Sequence, residues 1–175
     1  MHAVQFTRDQ MAFAARILHQ ATTLAYGHQD PDRRTIEKLG QTLFSLQRGF
    51  TGSREKIATS YLQRQNYLSA YMAYYWPVSF HQVLGALAEI KARHSHALWT
   101  RVLDLGSGPG PAAAAACVMG ASKVTLVDAS STALQVAQTL LMQGAGMAVS
   151  HISILPQNLE SVFSMPEGPF DLAVM

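Results

Sequence analysis

The segment Asp104-Leu105-Gly106-Ser107-Gly108-Pro109-Gly110 constrains this chain more than any other stretch. A short apolar run at 101–105 leads into it, and an alanine-rich run follows from Pro111. Glycine without a Cβ permits a tight turn and lets backbone approach a neighbour closely. Apolar strand, glycine turn and small-residue helix, in that order, predict the start of a parallel βαβ unit. The pattern continues with a strand over 124–127, a helix over 130–142 and strands over 148–154 and 170–175. The expected class is α/β, a Rossmann-like doubly wound sheet.

The first 98 residues have another texture and read as helices. Thr7 and Gln10 have capping-box spacing, and Met11, Phe13, Ala14, Ile17, Leu18 and Leu24 form one apolar stripe until Gly27. Asp30-Pro31 predicts an N-cap and first helical residue, with Ile36, Leu39, Leu43, Phe44 and Leu46 as the apolar face; Gly49 and Gly52 end the pattern. Ser53 is a cap for a third helix through Ile57, Tyr61 and Leu62. Tyr67, Tyr71 and Tyr74 recur at helical spacing and are expected on one face. Pro77 predicts a break, with Ser79 and Gln82 capping a new helix that ends near His94. The division is a helical region at 1–98 and an α/β region at 99–175.

Charge follows the same division. Up to Leu98 there are eleven Lys/Arg against six Asp/Glu, a net of +5; beyond it, two against five, a net of −3. A basic half suits an RNA-facing surface or simply more solvated helix. No apolar run approaches the roughly 20 residues that cross a bilayer, and no signal peptide is evident, so a cytoplasmic, membrane-free setting is expected. A lone Cys117 excludes an intramolecular disulfide or a multi-thiolate metal site within this chain. It reads as a small buried hydrophobe, and His94 and His96 as a solvated linker, so no metal is expected.

The chemistry lies in two carboxylates. Asp104 ends the first strand, where open α/β sheets bind ligands in the crevice beyond their carboxyl edges. A carboxylate there repels a pyrophosphate and suits a cation. S-adenosylmethionine, with its sulfonium and ammonium groups, fits better than NAD. Asp128 ends the second strand, eighteen residues after Gly110, where a carboxylate reaches ribose hydroxyls of either ligand. The dinucleotide pattern is met only in a shifted register, Gly108, Gly110 and Ala113, which is a weak match. An NAD-binding oxidoreductase is the least favoured reading.

These residues resemble a known family. Arg101-Val102-Leu103-Asp104-Leu105-Gly106-Ser107-Gly108-Pro109-Gly110 looks like motif I of class I S-adenosylmethionine-dependent methyltransferases. Gly52-Ser53-Arg54, Tyr61-Leu62 and Tyr71-Met72-Ala73-Tyr74-Tyr75-Trp76-Pro77 resemble the methyltransferase-like family associated with small ribosomal subunit assembly in bacteria and mitochondria. The resemblance implies that Asp104, Gly106, Ser107, Gly108 and Gly110 line the methionine end of the cofactor, that Asp128 meets the ribose, and that Gln157 or Asn158 meets the adenine, although the usual acid is absent there. It implies methyl transfer to rRNA, or a non-catalytic assembly role that retains the fold, with the small subunit as partner. Relatives also tend to carry a cysteine cluster for a metal or iron–sulfur centre, which this chain lacks.

The class I sheet has strand order 3-2-1-4-5-7-6, and this sequence supplies strands one to four. The expectation is a truncated sheet, inactive by itself, with an open fourth-strand edge; the alternative is that two chains pair along that edge. No general base is identifiable. The tyrosines either clamp the cofactor, stack bases or pack as core, with Tyr74 and Tyr75 as lid candidates. Arg48, Arg54 and Lys56 are candidates for phosphate contact.

Overall fold

A computed structural model describes residues 6–27, 31–51, 61–161 and 164–175. The helix starts expected at Asp30 and Ser53, the Gly52-Ser53-Arg54 motif and the candidates Arg54 and Lys56 lie outside them. Helix α1, Arg8–Tyr26, begins with the expected capping box: the Thr7 hydroxyl accepts from Gln10 N, and the Gln10 side chain accepts from Thr7 N. It ends at Gly27. Helix α2, Arg33–Thr51, starts later than Pro31 suggests, because the Asp32 carboxylate accepts from Thr35 N at 2.7 Å. It continues through Gly49, which is buried within the helix. Leu46 is fully buried, but Ile36 and Phe44 are 56% and 61% exposed, so the expected apolar face is only partly covered.

The largest departure from the sequence pattern is at Pro77. Instead of a break, the chain runs helically through α3 (Gln65–Ala70), a π-turn (Tyr71–Tyr75) and α4 (Trp76–Arg93). Proline has no N–H to donate and its ring collides with the carbonyl four residues back. Widening the preceding turn, with Trp76 N donating to Tyr71 O, accommodates it without ending the helix. Ser79 and Gln82 therefore lie inside α4 and cap nothing. The extra residue in the turn also breaks the tyrosine face: Tyr74 points outward, while Tyr71 and Tyr75 pack against each other with centroids 5.8 Å apart.

The α/β region alternates as expected: β1 (Arg101–Leu105), α5 (Pro111–Val118), β2 (Lys123–Asp128), α6 (Ser131–Gln143), β3 (Ile152–Pro156) and β4 (Leu172–Val174). All pairings are parallel and the strand order is β3-β2-β1-β4, the Rossmann-like arrangement. β3 lies later than the predicted 148–154, because it pairs along β2 as far as Asp128↔Pro156. Asp171 ties the outer strand to β1, its carboxylate accepting from Thr100 N and Arg101 N.

Helical and α/β regions share one core. Every residue of α5 is buried, and its alanines bring both the sheet and α4 close. A helix covered all round shows no amphipathic stripe. Helix α1 meets the end of α6 at Gly144, where a Cβ would stand 3.2 Å from Ile17 Cα. Cys117 is buried with its Sγ 3.4 Å from Met147 Sδ, and burial raises its thiol pKa, as suits a small core hydrophobe. Among the described residues, no helix is long and apolar enough to cross a membrane.

Candidate functional site

The glycine turn is held by hydrogen bonds that leave its outer face open. Gly106 N and Ser107 N both donate to Val127 O, at 2.8 and 3.0 Å, and Gly110 N donates to Ser107 O at 2.8 Å. Gly106, Gly108 and Gly110 have φ of 69°, 50° and 72°. A side chain is disfavoured in this region by roughly 1–2 kcal/mol. At Gly110 space is also lacking, since a Cβ would stand 2.9 Å from Ala137 Cβ on α6. Gly110→Ala is expected to combine both penalties, about 3 kcal/mol in all. Thermal unfolding should then fall by roughly 10 °C for a chain of this size. A shift below about 2 °C would mean that α6 moves aside freely.

Asp128 anchors the turn from β2. Its Oδ2 accepts from Gly108 N and its Oδ1 from Ser130 N, both at 2.8 Å. A carboxylate offers about four lone-pair sites, so each oxygen keeps one free. The carboxylate borders a cleft of about 270 Å³ lined by Tyr61, Leu62, Gly106, Asp128, Ala129, Gln157, Asn158, Leu159 and Glu160. This is just below the usual size of a small-molecule pocket, enough for part of a ligand. Paired, partly free carboxylate oxygens at its edge suit two neighbouring hydroxyls.

Asp104 is placed differently from the expectation that it projects into the crevice. Its carboxylate is 3% exposed and lies beneath the turn, with Oδ2 accepting from Ala113 N of α5 at 3.0 Å. Burial drives its pKa up to about 7; the Ala113 N–H opposes the rise and the charge of Asp128 adds to it. The Ser107 hydroxyl is also buried, with the residue 4% exposed, and among the described residues it has no hydrogen-bond partner. Such a group costs about 1–3 kcal/mol unless something satisfies it.

Asn158 borders the cleft; its Oδ1 accepts from Glu160 N at 2.9 Å, which orients the amide and leaves its N–H groups free to donate to a ligand. Gln157 N donates to Asp128 O and fixes where this loop leaves the sheet. Glu160, three residues beyond Gln157, supplies an acid that the sequence reading did not find. Spacing does not place Tyr61 and Leu62 at the cleft, nor Trp76 against the glycine turn, where its Nε1 donates to Pro109 O at 3.0 Å. Spacing gives no sign of such long-range contacts; the only sequence signal was their place in the quoted lead-in.

The tyrosines divide. Tyr61 lines the cleft near Asp128, and Tyr71 is close enough to feel Asp104 and Asp128; burial raises both phenols. The lid candidates Tyr74 and Tyr75 instead border a separate groove with Leu43, Phe44 and Phe50 of α2. Arg48 lies over the Phe44 ring at 5.9 Å. His94 and His96 are exposed in the link between α4 and β1.

No curated protein matches the chain. Residues 102–175, from β1 to β4, match the family model described as a methyltransferase domain. Members of that family are S-adenosylmethionine-dependent methyltransferases, and the parallel β3-β2-β1-β4 sheet of the matched segment is consistent with the Rossmann-like fold of such a domain.

Proposed function

We propose that the cleft between the glycine turn, Asp128 and the loop after β3 binds S-adenosylmethionine, and that the protein transfers its methyl group to RNA of the small ribosomal subunit in the cytoplasm. The observation that carries the cofactor assignment is Asp128, fixed by Gly108 N and Ser130 N with acceptor capacity left toward the cleft. The donor set fits the cofactor. Asp128 would take the ribose hydroxyls, while Tyr61 and Leu159 would flank the base. The Asn158 amide would donate to adenine and Glu160 accept from it. Gly106, Ser107, Gly108 and Gly110 would follow the methionine end, where the unpartnered Ser107 hydroxyl gains a polar partner. The buried Asp104 carboxylate supplies negative charge beneath the turn for the cationic end.

A pyrophosphate fits poorly. In the shifted dinucleotide register Ala113 falls in the first turn of α5, but its N–H is already taken by the Asp104 carboxylate. That carboxylate would repel phosphate at the position where a helix N-terminus normally attracts it.

When bound, the cofactor supplies a methyl group made electrophilic by its sulfonium. The chain's own contribution is to hold the donor in a fixed orientation, and positioning of this kind can supply several kcal/mol of a barrier. RNA as acceptor is supported by the resemblance of the lead-in 71–77 and by the net +5 of the helical half, with Arg33, Arg34, Lys38 and Arg48 exposed along α2.

Calorimetry with S-adenosylhomocysteine and with NAD, followed by tritiated-methyl transfer to small-subunit RNA and protein, tests the proposal. Binding of S-adenosylhomocysteine in preference to NAD, with label in RNA, is expected. Binding without label in RNA or protein would replace the enzymatic reading with a cofactor-retaining assembly role. Tighter NAD binding would overturn the cofactor assignment.

A further inference from the structure

We propose that Trp76 is a positioning residue for the cofactor turn, its indole N–H holding the apex in the shape that receives the methionine end; this rests on the cofactor reading above. The apex is intrinsically loose. Gly108 and Gly110 flank Pro109, and glycine gives the backbone its widest freedom. The other turn residues are tied through their N–H groups: Gly106 and Ser107 to Val127 O, Gly108 to Asp128, and Gly110 to Ser107 O. Pro109 has no N–H, so the apex can be tied only through its carbonyl, and Trp76 Nε1 donates to that oxygen at 3.0 Å.

The anchor is itself rigid. Trp76 and Phe80 are fully buried and stacked, with centroids 5.3 Å apart and planes 11° apart. A buried indole N–H needs a partner, so the bond has strong reason to persist. The π-turn sets its aim: one extra residue rotates the following helix by about 100° relative to an uninterrupted one. Leu62 meets the same turn, its Cδ1 lying 3.6 Å from where a Gly108 Cβ would be. The helical region thus contacts two consecutive turn residues.

The consequence is a split between ligand fragments. Adenosine depends on Asp128 and the loop after β3, whereas the methionine moiety depends on the apex. In Trp76→Phe, the affinity for S-adenosylhomocysteine is expected to fall roughly tenfold, as for one lost hydrogen bond, with adenosine affinity unchanged within about twofold. Replacing the indole with a benzothiophene isostere removes the donor while keeping ring size, and should give the same split if Trp76→Phe folds poorly. Leu46→Ala, which removes a fully buried side chain of α2 away from the turn, should lower thermal stability without the split. Equal loss of both ligands, or unchanged S-adenosylhomocysteine affinity in the isostere, overturns the proposal.

Failure of the cofactor reading is a separate result: wild type then binds neither ligand. In that case, hydrogen exchange in the ligand-free protein decides the role of Trp76. The Gly110 amide should exchange at least about tenfold faster in the isostere than in wild type, and equal exchange overturns the proposal.

Discussion

Asp128→Ala is expected to reduce S-adenosylhomocysteine affinity by roughly 100-fold or more, the largest loss of any single substitution in the cleft. Hydrogen bonds to a charged group are worth about 1.5–3 kcal/mol each, and two to the ribose together give that factor or more. The same change leaves Gly108 N and Ser130 N, both on buried residues, without their carboxylate partner. Stability should fall by about 3 kcal/mol as well. Asp128→Asn is no conservative control, because one of its two positions must present an NH₂ group to an N–H donor. It should therefore weaken binding substantially while preserving side-chain volume. Titration calorimetry with thermal unfolding checks both effects. A loss of less than threefold in Asp128→Ala would remove Asp128 from the site.

The βαβ order and the glycine turn were legible in the sequence because both are local. Three glycines at alternate positions, an acid on either strand end and an alanine run each report on neighbours a few residues away. The rest depends on contacts that local patterns do not encode. Pro77 reads as a breaker, yet a wider turn keeps the helix continuous and changes which aromatic faces the core. Ile36 and Phe44 fit an apolar stripe, but the packing of α2 covers only part of it. The place of Asp128 at the cleft edge follows from its strand-end position, whereas Tyr61 and Leu62 reach the cleft from the helical region and Trp76 meets the turn from α4. For Asp104 the sequence indicated the neighbourhood and missed the orientation. Strand-end position does not say whether a carboxylate faces the crevice or turns beneath the next helix to accept Ala113 N.

That buried orientation makes Asp104 the source of an unusual pH dependence. Its pKa is raised by burial from 3.8 to about 7 in the folded chain, so the native state holds a proton that the unfolded chain releases. Stability from this group is fully present below the unfolded pKa and is lost as pH rises through the folded value. Between about pH 4 and pH 7 the ligand-free protein should lose on the order of 4 kcal/mol from this source, with little further loss above. Asp104→Asn keeps an acceptor for Ala113 N and cannot ionise. It should match wild type near pH 4 and exceed it at pH 8, with the gap opening between these values. Chemical denaturation of both proteins at several pH values measures it, and a gap independent of pH would show that Asp104 does not titrate in this range. A cationic ligand reverses the balance, because it stabilises the ionised carboxylate. In wild type, S-adenosylmethionine affinity should therefore rise with pH through about 7, and Asp104→Asn should abolish the rise. The substitution that stabilises the empty fold is thus expected to weaken its proposed cofactor complex, since the charge that costs the empty fold stability at neutral pH is the one that attracts the ligand.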